Sequence, residues 1–257
     1  FERFIQNKRD SLLVLPRYDH SLNMPIVDVI DLINFKTIHT YQYNLSQIVD
    51  KNSMKLEYYH PLILDDGSLI SEGTYTPLFK VDFYSNLKWV NNEIVFHHSK
   101  TLDHENNILI PGRLKPHSKL VNLYQHPIKN FRDDAIVKIN SDGKILYKKS
   151  VIEILIENKI GDMINKLKKT VSDPIHLNCI EPALSDTEHW KKGDVFLSLK
   201  HHSAIVLYRP STNKVIDYIT GPFAHQHDVD IVSKNEISIF NNNNFFIYNK
   251  YSEVLIY

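Results

Sequence analysis

The feature that most constrains the fold of this chain is a hairpin that recurs along it. Four segments each combine an alternating apolar strand, a polar turn and a second strand: VDVIDLINFKTIHTY, LFKVDFYSNLKWV, AIVKINSDGKILYKK and AIVLYRPSTNKVIDYI. Period-two alternation bounded by Asn, Ser, Asp or Pro is the sequence signature of a β-hairpin. The final VLIY reads as the start of a fifth copy. The repeat therefore predicts an all-β chain built from similar units.

A second kind of hairpin alternates with the first and begins at a histidine. HPLILDDGSLI, HHSKTLDHENNILI and HDVDIVSKNEISI each run through a short strand, turn at an acidic, Asn or Gly pair, and return. The two kinds together give about four strands per unit, and a radial arrangement of such units solves the problem of exposed sheet edges. We predict a β-propeller with about five of six blades present. A β-sandwich with long hairpins is the alternative.

One stretch departs from strand periodicity. KSVIEILIENKIGDMINKLKKT has apolar residues three and four apart, which is typical of an amphipathic helix, and predicts a helical insertion over residues 150–170. The chain begins at Phe1, and its last residues read as a strand without a partner. We therefore expect residues 1–257 to be a single propeller domain truncated at both ends. No apolar run approaches the roughly 20 residues that span a bilayer.

Charge and cysteine content exclude several classes of function. The chain has 30 basic and 30 acidic residues, so bulk charge does not favour a nucleic-acid partner. Cys179 is the single cysteine, which excludes an internal disulfide and a zinc site built from several thiolates. A small anionic ligand is compatible with this composition.

The histidines that open the second kind of hairpin predict a shared site. The first strand of each propeller blade lines the central channel, so equivalent positions in different blades converge near the axis. His98, His176 and His227 stand at such starts, and His60 holds the same place in an earlier copy. Asn178 follows His176 by two residues, so strand alternation puts it on the same face.

The residue types near these histidines favour an anion over a metal. Lys200 and His201 end the strand that returns from the His176 segment, and Gln226 precedes His227. Imidazole, amide and ammonium groups donate hydrogen bonds to a tetrahedral oxyanion. Metal binding is a rival, because imidazole is the commonest metal ligand, but only HQHD joins a histidine pair to a carboxylate. We predict neither a metal nor a cofactor.

The same residues carry a resemblance to a known family. The run DPIHLNCIEP…GDVFLSLKHHSAIVLYRPSTNKVI…GPFAHQHDVDIVSKNEISIFNNN resembles the centre of the arylsulfotransferase family, and the likeness extends back through FHHSKTLDHENNILIPG and YYHPLILDDGSLI. Members are periplasmic bacterial six-bladed propellers that move a sulfuryl group between phenols without a nucleotide cofactor. The resemblance implies an aryl sulfate donor, a phenolic acceptor and a periplasmic or otherwise exported location.

The resemblance also implies roles for individual residues. His227 in QHD would be the nucleophile that accepts the sulfuryl group. His98, His176 and Asn178 would bind the sulfuryl oxygens and pass protons to or from the phenol. Strand alternation puts His225 on the same face as His227 and makes it the alternative acceptor, whereas the register of His98 with His227 favours His227.

Two positions depart from the family's pattern. The strand before this HxS usually ends in arginine, where this chain has Lys200, and Ser99 stands where an aspartate commonly follows the paired histidines. Lysine keeps the positive charge but lacks the planar fork that grips two oxygens. The alternative function is therefore a non-catalytic propeller that uses the same pocket to bind an anion or a protein partner, and a metal-bearing propeller is third.

Overall fold

The strands that the structure describes form five separate antiparallel sheets, which belong to two compact units. Unit 1 is Phe1–Glu93 and unit 2 is Ile94–Tyr257. The computed structural model describes residues 10–43, 48, 58–73, 76–120, 130–160, 163, 172–243 and 251–257. Within these ranges no helix is both long enough and apolar enough to cross a membrane.

Unit 1 contains two sheets whose strands follow one another in chain order. The first consists of β1 (Leu12–Asp19), β2 (Met24–Asp31) and β3 (Lys36–Tyr41). The second consists of β4 (Tyr58–Ile63), β5 (Leu69–Gly73), β6 (Leu78–Val81) and β7 (Leu87–Asn91). The buried core of this unit includes Val27 and Val29, which lie two residues apart in β2, together with Phe79 and Tyr41.

Unit 2 contains three sheets of the same kind. In the first, β8 (Val95–Phe96) and β9 (Thr101–Leu102) both pair with β10 (Ile108–Arg113), and β11 (Asp134–Ile139) and β12 (Ile145–Ser150) follow. The second consists of β13 (Leu177–Pro182), β14 (Val195–Leu199), β15 (Ala204–Arg209) and β16 (Lys214–Thr220). The third consists of β17 (Val229–Ile231), β18 (Ile237–Asn241) and β19 (Glu253–Ile256).

The hairpins predicted from the repeat are present. The first kind forms β2–β3, β6–β7, β11–β12 and β15–β16, and the segment read as the start of a fifth copy forms β19. The histidine-led kind forms β4–β5, β9–β10 and β17–β18. Small sheets in chain order are blades, and the strands within the described ranges do not merge into two large facing sheets. The predicted β-propeller class is confirmed, whereas its extent as one truncated domain stays a prediction.

The predicted helical insertion is helical at its start. Helix α1 (Val151–Glu157) begins after Ser150, whose hydroxyl accepts a hydrogen bond from the N–H of Glu153 and so caps the first turn. The side chains on its buried face belong to the core of unit 2: Val151, Ile152, Ile154 and Leu155. Met163 is also helical, but residues 161–162 and 164–170 lie outside the described residues.

Side chains on β13 and its neighbours connect the three sheets of unit 2. The hydroxyl of Thr101 in β9 donates to the carbonyl of Ile180 in β13 at 2.7 Å. The thiol of Cys179 contacts the carbonyl of Val229 in β17 at 3.6 Å, and burial raises the pKa of this thiol well above its usual value. Cys179 is therefore a protonated packing residue. Because β13 lies between β9 and β17, the residues that precede these strands come close together.

Candidate active site

The innermost strands are interrupted where the predicted site residues stand. In the first sheet of unit 2, β8 ends at Phe96 and β9 begins at Thr101, which leaves a break between them. In the second sheet, the pairing of β13 with β14 shifts between Leu177 and Cys179. Such bulges bend a strand and re-aim its side chains, and they are common beside active sites.

Histidines hold a left-handed backbone conformation at these interruptions. The φ angle is +64° at His98, +53° at His176 and +49° at His225, and it is +46° at His60 in unit 1. A non-glycine residue in this region costs roughly 1–3 kcal/mol, and such residues cluster at functional sites. Four histidines in this conformation indicate that their positions are held by the surrounding structure.

Unit 2 brings the predicted histidines into one cluster. The ring centroid of His98 lies 5.3 Å from that of His176 and 6.2 Å from that of His227. The ring of His201 lies 4.8 Å from His176 and 6.2 Å from His225. The three candidate catalytic histidines are thus neighbours in space although they are separated by up to 129 positions, and His201 and His225 extend the cluster.

Asp173 orders one side of this cluster. Its Oδ2 lies 2.7 Å from Nδ1 of His176 and accepts a hydrogen bond from Arg132 at 2.8 Å. Its backbone carbonyl lies 2.6 Å from Nδ1 of His201. Burial would raise the pKa of Asp173, but the hydrogen bond with His176 and the contact with Arg132 outweigh it and hold the pKa well below its usual value. A permanent carboxylate therefore faces the ring of His176.

Asn242 holds the ring of His227. Its amide nitrogen donates to the carbonyl of His225 at 2.6 Å and also hydrogen-bonds Nδ1 of His227. Because the amide group is a donor, Nδ1 of His227 accepts, and Nε2 carries the ring proton in the neutral form. The side chain that orients this ring is therefore Asn242.

Lys200 places a positive charge beside the cluster. It begins a short 3₁₀ helix, η1 (Lys200–His202), and its backbone N–H donates to the carbonyl of His176 at 3.1 Å. Burial lowers the pKa of His225, and the charges of Lys200, His201 and His176 lower it further. His225 is therefore neutral at neutral pH in a positively charged site.

Asn178 and Gln226 are buried supports of the cluster. The amide of Asn178 donates to the backbone carbonyl of Gln226 at 2.8 Å and so links β13 to the segment before β17. Gln226 is fully buried, and its amide donates to Ser198 and to the carbonyl of Ala204. These contacts fit a positioning role for Gln226 rather than the substrate contact that the sequence predicted. The side chain of Asn178 is buried as well, because the residue is only 3% exposed.

Ser99, one of the two positions that depart from the family's pattern, makes a hydrogen bond in the structure. Its hydroxyl donates to the carbonyl of Asn178 at 3.1 Å and joins the break after β8 to β13. An ionised aspartate could not donate this hydrogen bond. Ser99 therefore supports the contact between two sheets.

Three of these groups are close enough to hold a metal ion. Ligand atoms of Asp173, His176 and His201 all lie within 4.8 Å of one another. However, one oxygen of Asp173 already bonds the ring of His176 and the guanidinium of Arg132. With Lys200 also near, the positive charges of the site suit an anion better than a cation.

Sequence reasoning missed the groups that orient the histidines. These are Asp134, which lies near His97, together with Asp173, Arg132 and Asn242. Asp173 could have been found, because it precedes His176 by three positions in DPIH. Asn242 sits in the polar run FNNNN, which has no distinguishing pattern of its own.

Comparison with solved structures gives the class of fold. The WD40 β-propeller domain of Doa1 matches with a TM-score of 0.52 over 92% of this chain and 59% of that chain, at 9% sequence identity. A catalytically inactive virginiamycin B lyase from Staphylococcus aureus, solved with quinupristin, matches with a TM-score of 0.51 over 98% of this chain and 72% of that chain, at 8% identity. At these identities the likeness concerns the fold alone, and the chain is a β-propeller.

Sequence comparison gives the family. The profile described as Arylsulfotransferase (ASST) matches residues 65–255, a range that contains the whole histidine cluster. The chain belongs to the arylsulfotransferase family. No curated protein sequence gives a significant match.

Proposed function

We propose that the protein is an arylsulfotransferase-like enzyme that moves a sulfuryl group between phenolic compounds through a covalent sulfohistidine at His227. The observation that carries the proposal is the meeting of His98, His176 and His227 from three sheets of a chain in this family. The substrates are an aryl sulfate donor and a phenolic acceptor, and the compartment is periplasmic or otherwise exported. The exchange requires no nucleotide.

In the first half-reaction, Nε2 of His227, the ring nitrogen that Asn242 does not engage, attacks the sulfur of the aryl sulfate as it gives up its proton. The S–N bond forms while the S–O bond to the aryl group breaks, and the electron pair of that bond leaves on the aryl oxygen. The proton released by the ring of His227 passes through His98 to this oxygen, which gives a neutral phenol. A covalent intermediate of this kind splits one difficult transfer into two easier steps.

In the second half-reaction, the oxygen of the acceptor phenol attacks the sulfur. The new S–O bond forms as the S–N bond breaks, and the phenol's proton returns through His98 to His227. Hydrolysis of the sulfohistidine is the competing reaction, so exclusion of water from the site favours transfer.

The sulfuryl oxygens fit the positively charged side of the cluster. When the ring of His176 carries both protons, Nδ1 donates to the carboxylate of Asp173 and Nε2 can donate to an oxyanion. Lys200 and His201 stand next to this ring through the start of η1. These groups would stabilise the charge on the transferred oxygens in the transition state.

A trapping experiment tests the acceptor. The full-length protein is incubated with an aryl sulfate and quenched at alkaline pH, and the added mass is mapped by peptide sequencing. We expect sulfuryl on His227 and a loss of turnover of roughly 10³-fold or more in His227→Gln. Modification of His225, or normal turnover by His227→Gln, would overturn the assignment.

A second candidate function is a non-catalytic propeller that binds an anion or a protein partner in the same pocket. It is favoured by the bond of Ser99 to a backbone carbonyl and by the lysine at position 200. The same trapping experiment separates the two functions. Neither modification nor turnover, together with retained anion binding, would favour the binding module.

A further inference from the structure

An open cavity of about 380 Å³ lies between the second and third sheets of unit 2. Its inner wall continues the buried core that these two sheets share, through Trp190, Phe196 and Ile237. The rings of Trp190 and Phe196 meet edge to face, with their centroids 5.3 Å apart. The two sheets therefore leave room for a small molecule, since ligand sites in proteins begin at roughly 300 Å³.

The outer wall of the cavity consists of apolar side chains that solvent still reaches. Ile216 and Tyr218 lie in β16, and Tyr257 follows β19. Each of these three residues is between 37% and 40% exposed. A ligand that covers them removes apolar surface from water, which favours binding.

The charged side chains of the cavity are acidic. Glu188 and Asp217 both line it, and both are exposed. Neither forms a salt bridge with another residue of the described ranges, and Asp217 accepts a hydrogen bond from the backbone N–H of Tyr218 at 2.8 Å. The described residues of the lining include no lysine or arginine, and His189 is the one basic side chain among them. The cavity therefore favours a ligand with a positive charge.

Aromatic rings beside carboxylates suit an organic cation. A cation over the face of tryptophan or tyrosine is attracted by the charge distribution of the ring, and a nearby carboxylate adds to the attraction. Trp190, Tyr218 and Tyr257 supply the rings. An aryl sulfate is disfavoured here, because its charge has the same sign as those of Glu188 and Asp217.

The aromatic end of the cavity is separate from the histidine cluster. The loop that carries Trp190 joins the end of β13 at Pro182 to the start of β14 at Val195. His176 precedes the other end of this hairpin, and Lys200 follows it. A strand of the length of β13 spans roughly 17 Å, so a ligand beside Trp190 does not contact these two site residues.

We propose that this cavity binds a small organic ammonium cation with an apolar or aromatic body, of which a quaternary ammonium compound is the simplest example. Trp190, Tyr218 and Tyr257 contact the body and the ammonium group of the ligand. Glu188 and Asp217 balance its charge. The sulfuryl transfer does not use this ligand, so the site is independent of the proposed function.

Titration of the full-length protein with benzyltrimethylammonium tests the proposal. Isothermal titration calorimetry at constant ionic strength measures the Kd of this cation and of neutral benzyl alcohol. We expect saturable binding of the cation and binding of benzyl alcohol that is weaker by roughly tenfold or more. Glu188→Gln combined with Asp217→Asn, and separately Tyr218→Ala, should each weaken binding of the cation roughly 5- to 30-fold.

Matched controls change the same kinds of group outside the cavity. Asp142→Asn combined with Glu93→Gln removes two exposed carboxylates, and Tyr84→Ala removes an exposed ring. Both control proteins should keep the native Kd for benzyltrimethylammonium. Tyr218→Ala should also keep the native rate of sulfuryl transfer, so the outcome for the cation is separate from the outcome for the proposed function.

A second readout places the ligand. The indole N–H signal of Trp190 in a ¹H–¹⁵N spectrum is assigned by its loss in Trp190→Phe, and Trp89 of unit 1 provides an internal reference. We expect benzyltrimethylammonium to shift the signal of Trp190 with the Kd found by calorimetry, and benzenesulfonate to leave it in place.

Four results would overturn the proposal. They are absence of saturable binding, equal affinity for benzyl alcohol, an unchanged Kd when both carboxylates are removed, and a stationary indole signal of Trp190. Light scattering provides one more check, because a dimer that dissociates in Tyr218→Ala would assign the cavity to a contact between two copies of the chain instead.

Discussion

Lys200 stands where the resemblance to the family leads us to expect an arginine, and it keeps the positive charge. Its place at the start of η1, hydrogen-bonded through its backbone to His176, ties it to the histidine cluster. An arginine at this position could grip two sulfuryl oxygens at once, which a point charge cannot do.

The first prediction therefore concerns Lys200. We expect Lys200→Arg to maintain or raise the rate of transfer from a chromogenic aryl sulfate, and Lys200→Ala to lower it roughly tenfold or more. Steady-state kcat/KM measures both, with Lys234→Ala as a control that removes one exposed positive charge. Equal inactivity of the arginine and alanine variants would show that position 200 does not correspond to the family's arginine.

Asn242 holds the ring of His227, the proposed nucleophile. Its amide connects the carbonyl of His225 with Nδ1 of His227, so it fixes both the ring orientation and the nitrogen that carries the proton. The predicted effect of Asn242→Ala is a fall in kcat of roughly 10- to 100-fold with a much smaller change in KM. The exposed Asn235→Ala is the control. A change confined to KM would mean that Asn242 supports substrate binding instead.

At the scale of elements, the innermost strands decide how the sheets of unit 2 meet. β13 exchanges side-chain contacts with β9 on one side and with β17 on the other. Glu181 lies in β13 and faces the acidic residues of the β17 segment. Burial raises the pKa of Glu181 to about 7, and Asp230 and Asp228 add to the shift.

The raised pKa of Glu181 predicts that the free energy of unfolding depends on pH. A carboxyl group whose pKa is raised on folding contributes stability that is present below its unfolded pKa of about 4 and is lost as the pH rises through 7. We expect Glu181→Gln to raise the free energy of unfolding at pH 8 by on the order of 1 kcal/mol and to change it little at pH 4. Thermal unfolding at both pH values measures this.

The exposed Glu188→Gln serves as the control for that measurement, since it removes a carboxylate without removing a buried one. Equal pH dependence of stability in native protein and Glu181→Gln would mean that Glu181 stays hydrated in solution.

At the scale of the whole molecule, an anion that binds the folded protein should stabilise it. A ligand at ten times its Kd adds about 1.4 kcal/mol to the free energy of unfolding. We expect sulfate to raise the unfolding temperature more than chloride does at the same ionic strength. The excess should shrink in His176→Gln and in Lys200→Ala and persist in Lys234→Ala. An equal excess in all four proteins would reflect a general salt effect on the surface.

The fold class and the candidate residues could both be predicted from the amino-acid sequence. Period-two alternation and turn residues are local properties, so VDVIDLINFKTIHTY and AIVKINSDGKILYKK could be read as hairpins without any knowledge of their partners. Their repetition then implied blades. The apolar spacing of three and four likewise predicted α1, whose first turn is closed by the adjacent Ser150. The histidines were visible because each opens a repeat unit.

Only the tertiary structure decided what those residues contact. Asp134 meets His97, and Asn178 meets Gln226, across 37 and 48 positions of sequence, and no local pattern encodes such pairs. The bulged strands are a second reason why the sequence alone does not predict these contacts. A left-handed residue such as His98 breaks the alternation of strand faces, so counting by two no longer gives the direction of a side chain. Gln226 shows the result: it stands between two site histidines in sequence, yet its side chain is fully buried among the strands that hold them.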